Sequence, residues 1–568
     1  MKLQNLIHIL MGIVCIGLLP RAQAVSPPPP GGYPNFTTAA GDHALQALTL
    51  GVGNTAIGTF SLFSVTTGNF NTAVGAGSLD LNTANSNTAT GAAALLLNTT
   101  GTENTANGTA ALEFNETGSE NTANGAFALF NNTEGNSNTA TGFEALFSNT
   151  QGVSNTAMGV QALHNNTTGE TNTAVGANSL FHNTTGGTNT GIGVNALANN
   201  TSGNDNTAIG AGALFSSNTG DLNTATGAGA LSNNTTGAGN TATGAEALQL
   251  NNVGDGNTAT GREALSHNTA GDSNTAVGAI ALQSNTTGGS NTATGFAALS
   301  ANTTGGGNTA DGEAALGSNI DGVRNTAVGW LALENNISGF DNIAIGVDAG
   351  SALTSEARNI DIGNDGVAGD GGTIRIGGVF QTETFIAGIR GAITGNNNAV
   401  NVVIDSAGQL GTMSSSRRFK KEIKPMDKAS EAILALKPVT FHYKSDKTNT
   451  PQFGLIAEEV ADVNPDLVVR DDNGEIYTVR YDQVNAMLLN EFLKEHQAFT
   501  EEQRKVQQQE VTITQLKQDF QSTLAEQQKR IEALTAGLQK VSAQLATASP
   551  SRGGLEASKP APQVVKNP

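Results

Sequence analysis

From residue 54 to residue 363 the small apolar and polar positions of the chain recur with a period of seventeen. Each unit reads N-T-A-x-G-x-x-A-L-x-x-N-T-T-G-x-x, opening at Asn54, Asn71 and Asn87 and then every 17 residues to Asn342; a worn copy opens at Asn359. The one irregular step, of 16 residues, lies between Asn71 and Asn87. A short fixed period predicts a solenoid, in which each unit is one coil that buries its apolar side chains only by stacking on its neighbours. Helical units are excluded, because two Gly-containing turn signals interrupt every unit and each Gly costs a helix about 1 kcal/mol. Short strands alternating with Asn/Gly turns fit the pattern, so one coil is expected to hold two short strands and two turns. Coils stacked about 4.8 Å apart would extend eighteen units over roughly 85 Å. The recurring Ala and Leu would fill a narrow core, and stacked Asn side chains would form hydrogen-bonded ladders. So thin a coil buries little apolar surface, which predicts association of several chains.

C-terminal to the repeats the pattern changes four times. Between 364 and 414 the period is lost but strand-like runs persist, as in Thr373-Ile374-Arg375-Ile376-Gly377, and a β-rich neck is expected. A small mixed α+β domain is expected over 415–493. Over 494–547 apolar residues recur every seven, led by Phe492, Phe499, Val506, Ile513 and Phe520, and resume at Leu524, Ile531, Leu538 and Leu545 after a stutter of four. That is a coiled-coil seam, with the supercoil locally unwound at the stutter. The Pro/Ser/Ala-rich tail 548–568 is expected to be disordered. At the other end Met1-Lys2, an apolar run from Leu6 to Leu19 and Ala22-Gln23-Ala24 form a secretory signal, 1–24. The run falls short of the roughly 20 apolar residues of a membrane span. Residues 25–50 open on four consecutive prolines and read as an extended linker. The predicted class is therefore mainly β: a solenoid over 51–363, a small α+β domain and a coiled coil, on a secreted or cell-surface protein.

Composition narrows the function. A net charge of −20 argues against nucleic acid or anionic membrane as a partner. The single cysteine, Cys15, lies in the signal segment, so no disulfide or thiolate-bound metal is expected after its removal. The Gly-x-Gly fragments and Asn-x-Thr sequons arise from the repeat itself, and no cofactor or metal site is expected. The 28 Lys and Arg residues are unevenly placed: seven precede Ser414 and 21 follow it. That break marks a domain boundary.

The boundary also carries candidate chemistry. Ser414-Ser415-Ser416-Arg417-Arg418-Phe419-Lys420-Lys421 places a serine five residues before a lysine among other cations. A serine hydroxyl becomes a nucleophile when a base takes its proton, and a lysine can be that base once burial or neighbouring cations lower its pKa. On spacing alone these residues read as a polar linker rather than a catalytic pair. The segment from Ser415 to Lys420 is similar to the S-D-x-R-L-K signature of the intramolecular chaperone domain that ends phage tailspikes and fibres, endosialidases included. Further blocks follow in order: Ile423-Lys424-Pro425, Ala435 to Tyr443, Gly454-Leu455-Ile456-Ala457-Glu458-Glu459-Val460, Pro465 to Val468, and Val479-Arg480-Tyr481-Asp482. The resemblance implies a self-cleaving peptidase with Ser415 as nucleophile, Lys420 as general base, cleavage at Ser414–Ser415, and Arg418, Phe419, Gly454 and Glu459 as supporting positions. Ser416, Phe419 and Gln452 stand where the pattern has Asp, Leu and often His. His442 is expected to pack within a strand over Val439–Tyr443, and Glu458 and Glu459 to be solvated or to face an assembly partner.

The repeats resemble the heads of trimeric autotransporter adhesins, where Asn-x-Ala-x-Gly units wind a left-handed β-roll shared by three chains. The C-terminal region lacks the series of amphipathic strands that would build an outer-membrane anchor. Taken together, the expected protein is a secreted homotrimeric fibre or adhesin, with a surface glycan or protein as receptor, whose C-terminal domain assembles it and cuts itself off. Two alternatives stand beside this: an uncleaved fibre in which the domain only trimerises, and an ice- or lattice-binding solenoid. The latter would need Thr at the fourth repeat position, supplied by Thr90, Thr141, Thr226, Thr243, Thr260 and Thr294 only.

Overall fold

The computed structural model describes residues 34–387, 389, 398–405, 408–471 and 473–546. The expected signal segment 1–24, the proline run and the tail 548–568, expected to be disordered, lie outside them. The chain divides into two compact units, Met1–Phe385 and Ile386–Pro568.

In the first unit each repeat contributes one three-residue strand, Thr-Ala-x in most copies. Twenty-one strands, from β1 (Thr38–Ala40) to β21 (Ile374–Ile376), form one parallel sheet. Register is like upon like: Thr207 pairs with Thr224 and Ala208 with Ala225. From β2 to β19 the central residue, Ala in every strand but β10, is buried, while its two neighbours face outward. Twenty steps of about 4.8 Å make a stack of about 95 Å.

The expected second strand does not form. The stretch around the second Ala and the Leu turns continuously, because the residues on either side of that Ala are left-handed: Gln161 has φ 57° and Leu163 φ 54°, and the pair recurs in most coils. This swings the Leu side chain into the core, where every such Leu from Leu62 to Leu333 is fully buried. A left-handed non-glycine residue costs about 1–3 kcal/mol, and burying a Leu side chain gains about 1.5–3 kcal/mol. The backbone groups of the turn pair with adjacent coils, as in Leu163 N–H to Ser179 O (2.9 Å) and Gln161 N–H to Phe143 O (2.9 Å). The solenoid therefore needs no second sheet to satisfy its main chain.

The solenoid also extends beyond the repeats visible in the sequence. β1 lies within the stretch read as linker, because Thr37-Thr38-Ala39-Ala40-Gly41 keeps the strand and its glycine but lacks the opening Asn. β21 lies within the expected neck and pairs with β20 (Ile360–Ile362). There the inward position changes from Ala to Asp361 and then Arg375, which pair in register. Arg375 also meets Asp370 at 2.7 Å, so a cluster of charges ends the apolar column. Burial pushes the Asp361 carboxyl up to about 6.

Two buried asparagine ladders run the length of the core. In the first, Asn223 is typical: its Nδ2 donates to Asn206 Oδ1 (3.2 Å) and Gly237 O (2.8 Å), and its Oδ1 accepts the Asn240 N–H (3.0 Å). In the second, at the twelfth position, Asn166 Nδ2 donates to Asn149 Oδ1 (2.8 Å) and to Gly169 O (3.0 Å). This ladder breaks at Ser217 and ends at Leu353, leaving Asn200 Oδ1, Ser217 Oγ and Asn336 Oδ1 without partners. The glycine after each strand is obligatory: Gly176 has φ 128°, and a Cβ there would lie 2.6 Å from Gly193 O.

The second unit is small and sparsely packed. After a short antiparallel pair, β22 (Val403–Ile404) with β23 (Leu410–Gly411), two further antiparallel pairs, β24 (Val439–Phe441) with β25 (Gln452–Gly454) and β26 (Val468–Arg470) with β27 (Ile476–Val479), accompany helix α1 (Ala457–Val463). The core is Val460, Leu467, Val468, Val479 and Met487, with Ile433, Leu436 and Leu455 packed against it. Helix α2 (Tyr481–Ala546) runs on for 66 residues. The whole heptad stripe of α2, including Phe492, Phe499, Ile513, Phe520 and Leu524, is exposed in the single chain.

Candidate functional site

A single turn of 3-10 helix, Arg417–Phe419, shapes the candidate site. Its hydrogen bonds, Phe419 N–H to Ser416 O and Lys420 N–H to Arg417 O (both 3.1 Å), fold the chain back by one turn. The fold-back brings Lys420 Nζ to 3.1 Å from Ser415 Oγ. The two residues that the sequence singled out are therefore in hydrogen-bond contact, within the range in which a base can reach a nucleophile's proton. The Arg418 guanidinium lies 4.6 Å over the Phe419 ring, which ties the side chains of the turn together. Ser414, whose carbonyl precedes Ser415, accepts the Ser416 N–H on its Oγ at 3.3 Å.

Ser414, Ser415 and Lys420 are all exposed in the single chain. A general base requires a neutral amine, and burial of a lysine favours that form. No carboxylate pairs with Lys420 among the described residues.

The other expected positions serve the domain's architecture. Gly454 leaves room for Tyr481: a Cβ there would lie 2.9 Å from the Tyr481 hydroxyl, which accepts the Leu455 N–H at 3.1 Å. This fastens β25 to the first turn of α2. Glu459 is exposed on the first turn of α1, and among the described residues neither it nor Gln452 has a side-chain bond to the Ser/Lys pair. His442 corrects an expectation. The strand ends at Phe441, and His442 is exposed just beyond it, because the chain turns there toward an Asp446-centred loop.

Sequence reasoning missed one polar cluster. Ser430, fully buried, donates to Glu491 Oε1 and accepts from Asn490 Nδ2 (2.7 Å) and Lys494 Nζ (3.3 Å). Lys494 also donates to Asp427 O (2.6 Å) and Glu491 Oε1 (2.6 Å), and hydrogen bonds from Lys494 and Ser430 hold the Glu491 carboxyl below its usual range. This cluster pins α2 to the 3-10 helix Asp427–Ala435. A second serine thus lies near a lysine, but its hydroxyl is sealed in and its proton committed to a carboxylate. The spacing Asn490-x-x-x-Lys494 on one helical face was the only signal in the sequence.

Among the described residues no helix is long and apolar enough to cross a membrane, and no group of three or more His, Cys, Asp or Glu residues is placed to hold a metal ion. No curated protein and no solved structure matches the chain. Residues 415–469, which begin at the candidate nucleophile, match the family model described as the chaperone of endosialidase, so the chain carries a chaperone-of-endosialidase segment C-terminal to a β-solenoid of about twenty turns.

Proposed function

We propose that this protein is a secreted, phage tail fibre-like homotrimer whose C-terminal domain assembles the fibre and then removes itself by cutting the Ser414–Ser415 bond. The observation that carries the reading is the 3.1 Å contact between Lys420 Nζ and Ser415 Oγ at the first residue of the matched segment. The exposed heptad stripe of α2 supports association, since a helix with that much unburied Phe, Ile and Leu is stable in water when other copies cover it. Long sheets of identical repeats slip register easily, because neighbouring registers differ little in energy. A C-terminal trimeriser would align three chains before the solenoids wind.

Assembly desolvates Lys420 in this account, and the neutral amine takes the Ser415 Oγ proton. The Ser415 oxygen attacks the Ser414 carbonyl carbon; the C–N bond breaks, and the lysine returns the proton to the leaving amine. Water then hydrolyses the resulting ester, leaving a Ser414 carboxylate and a free Ser415 hydroxyl. Removing the assembler makes unfolding hard to reverse, so the fibre is trapped kinetically. Mass spectrometry of the full-length wild type, Ser415→Ala and Lys420→Ala proteins tests the reading: the wild type is expected in two pieces split at Ser414–Ser415, and both variants whole. The exposure of Ser415 and Lys420 favours the second reading, a trimeriser that never cuts, and an intact wild-type trimer would establish it.

A further inference from the structure

The turn side of the solenoid carries a shallow groove of about 680 Å³, clear of the strands. It is lined by the eleventh and thirteenth positions of six successive coils, from Ser148 to Thr235. Five steps of about 4.8 Å make it about 24 Å long. At the thirteenth position Thr167, Thr184 and Thr201 donate their hydroxyls to the next coil's main chain at 2.8, 2.8 and 2.9 Å. Those bonds fix the hydroxyls and leave their oxygens able to accept. At the eleventh position the side chains of Ser148, Asn199 and Ser216 make no hydrogen bond among the described residues. Between them His164 Nδ1 meets Asn165 Oδ1 (2.9 Å) and Asn165 Nδ2 meets His182 Nδ1 (3.1 Å). The amide donates to His182, so the neutral ring carries its proton on Nε2, which has no partner among the described residues. His164 is held in turn between Phe147 and Phe181, with ring centroids 5.1 and 5.0 Å away and planes within 17°. The groove thus presents donors and acceptors on a rigid frame, repeated at the spacing of the coils.

We propose that this groove binds an extended, uncharged oligosaccharide. The inference rests on the fibre reading above and names the chemical class that the fibre holds. Charge decides first: from residue 145 to residue 245 the charged residues are Glu170, Asp205 and Asp221, all at the sixteenth or seventeenth position and none in the groove. An acidic sugar polymer or a phosphate-bearing ligand would leave its anions unpaired there, and a cation would find no carboxylate. An extended peptide is disfavoured, because it binds through main-chain hydrogen bonds to an open sheet edge. The main chain beside the groove is already paired from coil to coil, as in Asn199 N–H to Phe215 O (3.1 Å). A pyranose chain needs no such edge. Its rim of hydroxyls both donates and accepts, matching His182 Nε2, the Asn199 amide and the serine and threonine hydroxyls. Its C–H faces pack on threonine methyls and on Phe215, which is 40% exposed beside Ser216. A few fixed polar groups in a concave site are what orient such a ligand.

The probes are neutral oligosaccharides of glucose, N-acetylglucosamine, galactose and mannose, with oligosialic acid as the charged control, titrated calorimetrically into the full-length protein. At least one neutral series is expected to bind, more tightly as its chain lengthens toward the span of the groove, and oligosialic acid is not. His182→Ala and Asn199→Ala should each weaken binding about tenfold, as the loss of one hydrogen bond does. Ser216→Arg, which fills the groove, should abolish binding. Ser284→Ala, at the eleventh position beyond the groove, should bind as the wild type does. Denaturant midpoints of the variants, expected at the wild-type value, show that a loss of binding reports the groove and not the fold. Binding by none of the neutral series, equal binding of oligosialic acid, or wild-type binding by His182→Ala and Ser216→Arg would overturn the inference. Sedimentation and mass of the same samples keep the two readings apart. A cleaved trimer that binds no glycan overturns this inference alone, whereas an uncleaved or monomeric chain that binds through the groove overturns only the assembly and cleavage reading.

Discussion

Replacing Ser217 by Asn should repair the one internal break in the second asparagine ladder and stabilise the solenoid. At present Asn200 Oδ1 and Ser217 Oγ are buried without partners, and Asn234 Nδ2 has only Gly237 O at 2.8 Å. An amide at that position would donate to Asn200 Oδ1, accept from Asn234 Nδ2 and donate to Gly220 O, as its neighbours do one coil away. Each buried hydrogen bond contributes about 0.5–1.5 kcal/mol net, so three give about 2–4 kcal/mol, including satisfaction of the orphaned oxygen. The added side chain occupies a column that holds Asn above and below, so overpacking should subtract little. The measurement is the denaturant midpoint at unchanged slope, with hydrogen exchange at the Leu214 and Leu231 amides as a local readout. Leu353→Asn is the control: it also faces an orphan, Asn336 Oδ1, but removes a fully buried leucine and should destabilise. A Ser217→Asn protein with an unchanged or lower midpoint would refute the ladder as a source of stability.

Other outcomes follow from the same structure. Asn223→Ala should cost about 2–4 kcal/mol, because it strips the buried Asn240 N–H of its only acceptor, and unfolding midpoints would show it. Gly176→Ala should disrupt stacking around its coil, seen as protease cleavage there, since the added carbon meets Gly193 O. Burial raises Asp80 to about 6 and Glu113 to about 7. Carboxyls raised on folding hold protons that the unfolded chain has lost, so stability should fall as pH rises from about 4 through 7. The melting temperature is therefore expected to be higher at pH 5 than at pH 8, and Asp80→Asn with Glu113→Gln should reduce the difference, Asp361 supplying the remainder. Glu356, held at about 2 by the Thr354 and Gly369 amides despite the cost of burial, acts only below that window. Ile513→Asp should convert the assembly to monomers in sedimentation, because it sets a charge in the middle of the heptad stripe.

The solenoid was legible in the sequence because one coil is one repeat: the period, the Ala/Leu core and the Asn ladders follow from which side chains must stack. Its cross-section was not. The residues at positions seven and nine include Phe, Gln, Glu and Leu, none of which announces a left-handed backbone, and the conformation is imposed by pairing with the coils on either side. The ends were hidden for a related reason. Strand pairing tolerates Thr37 for Asn and Arg375 for Ala, whereas a sequence period does not. At the candidate site the Ser415–Lys420 contact could be anticipated, since five residues with one tight turn bring the two side chains together. The Ser430–Glu491–Lys494 cluster joins segments about sixty residues apart, and no local pattern encodes that meeting.

The central claim is that assembly activates Ser415 to cut the bond before it. The direct measurement is the mass of full-length chains taken from the trimer peak, compared with Ser415→Ala and Lys420→Ala. The account predicts wild-type fragments ending at Ser414 and starting at Ser415, with both variants trimeric and whole. A wild-type chain that is fully trimeric and remains whole would contradict it.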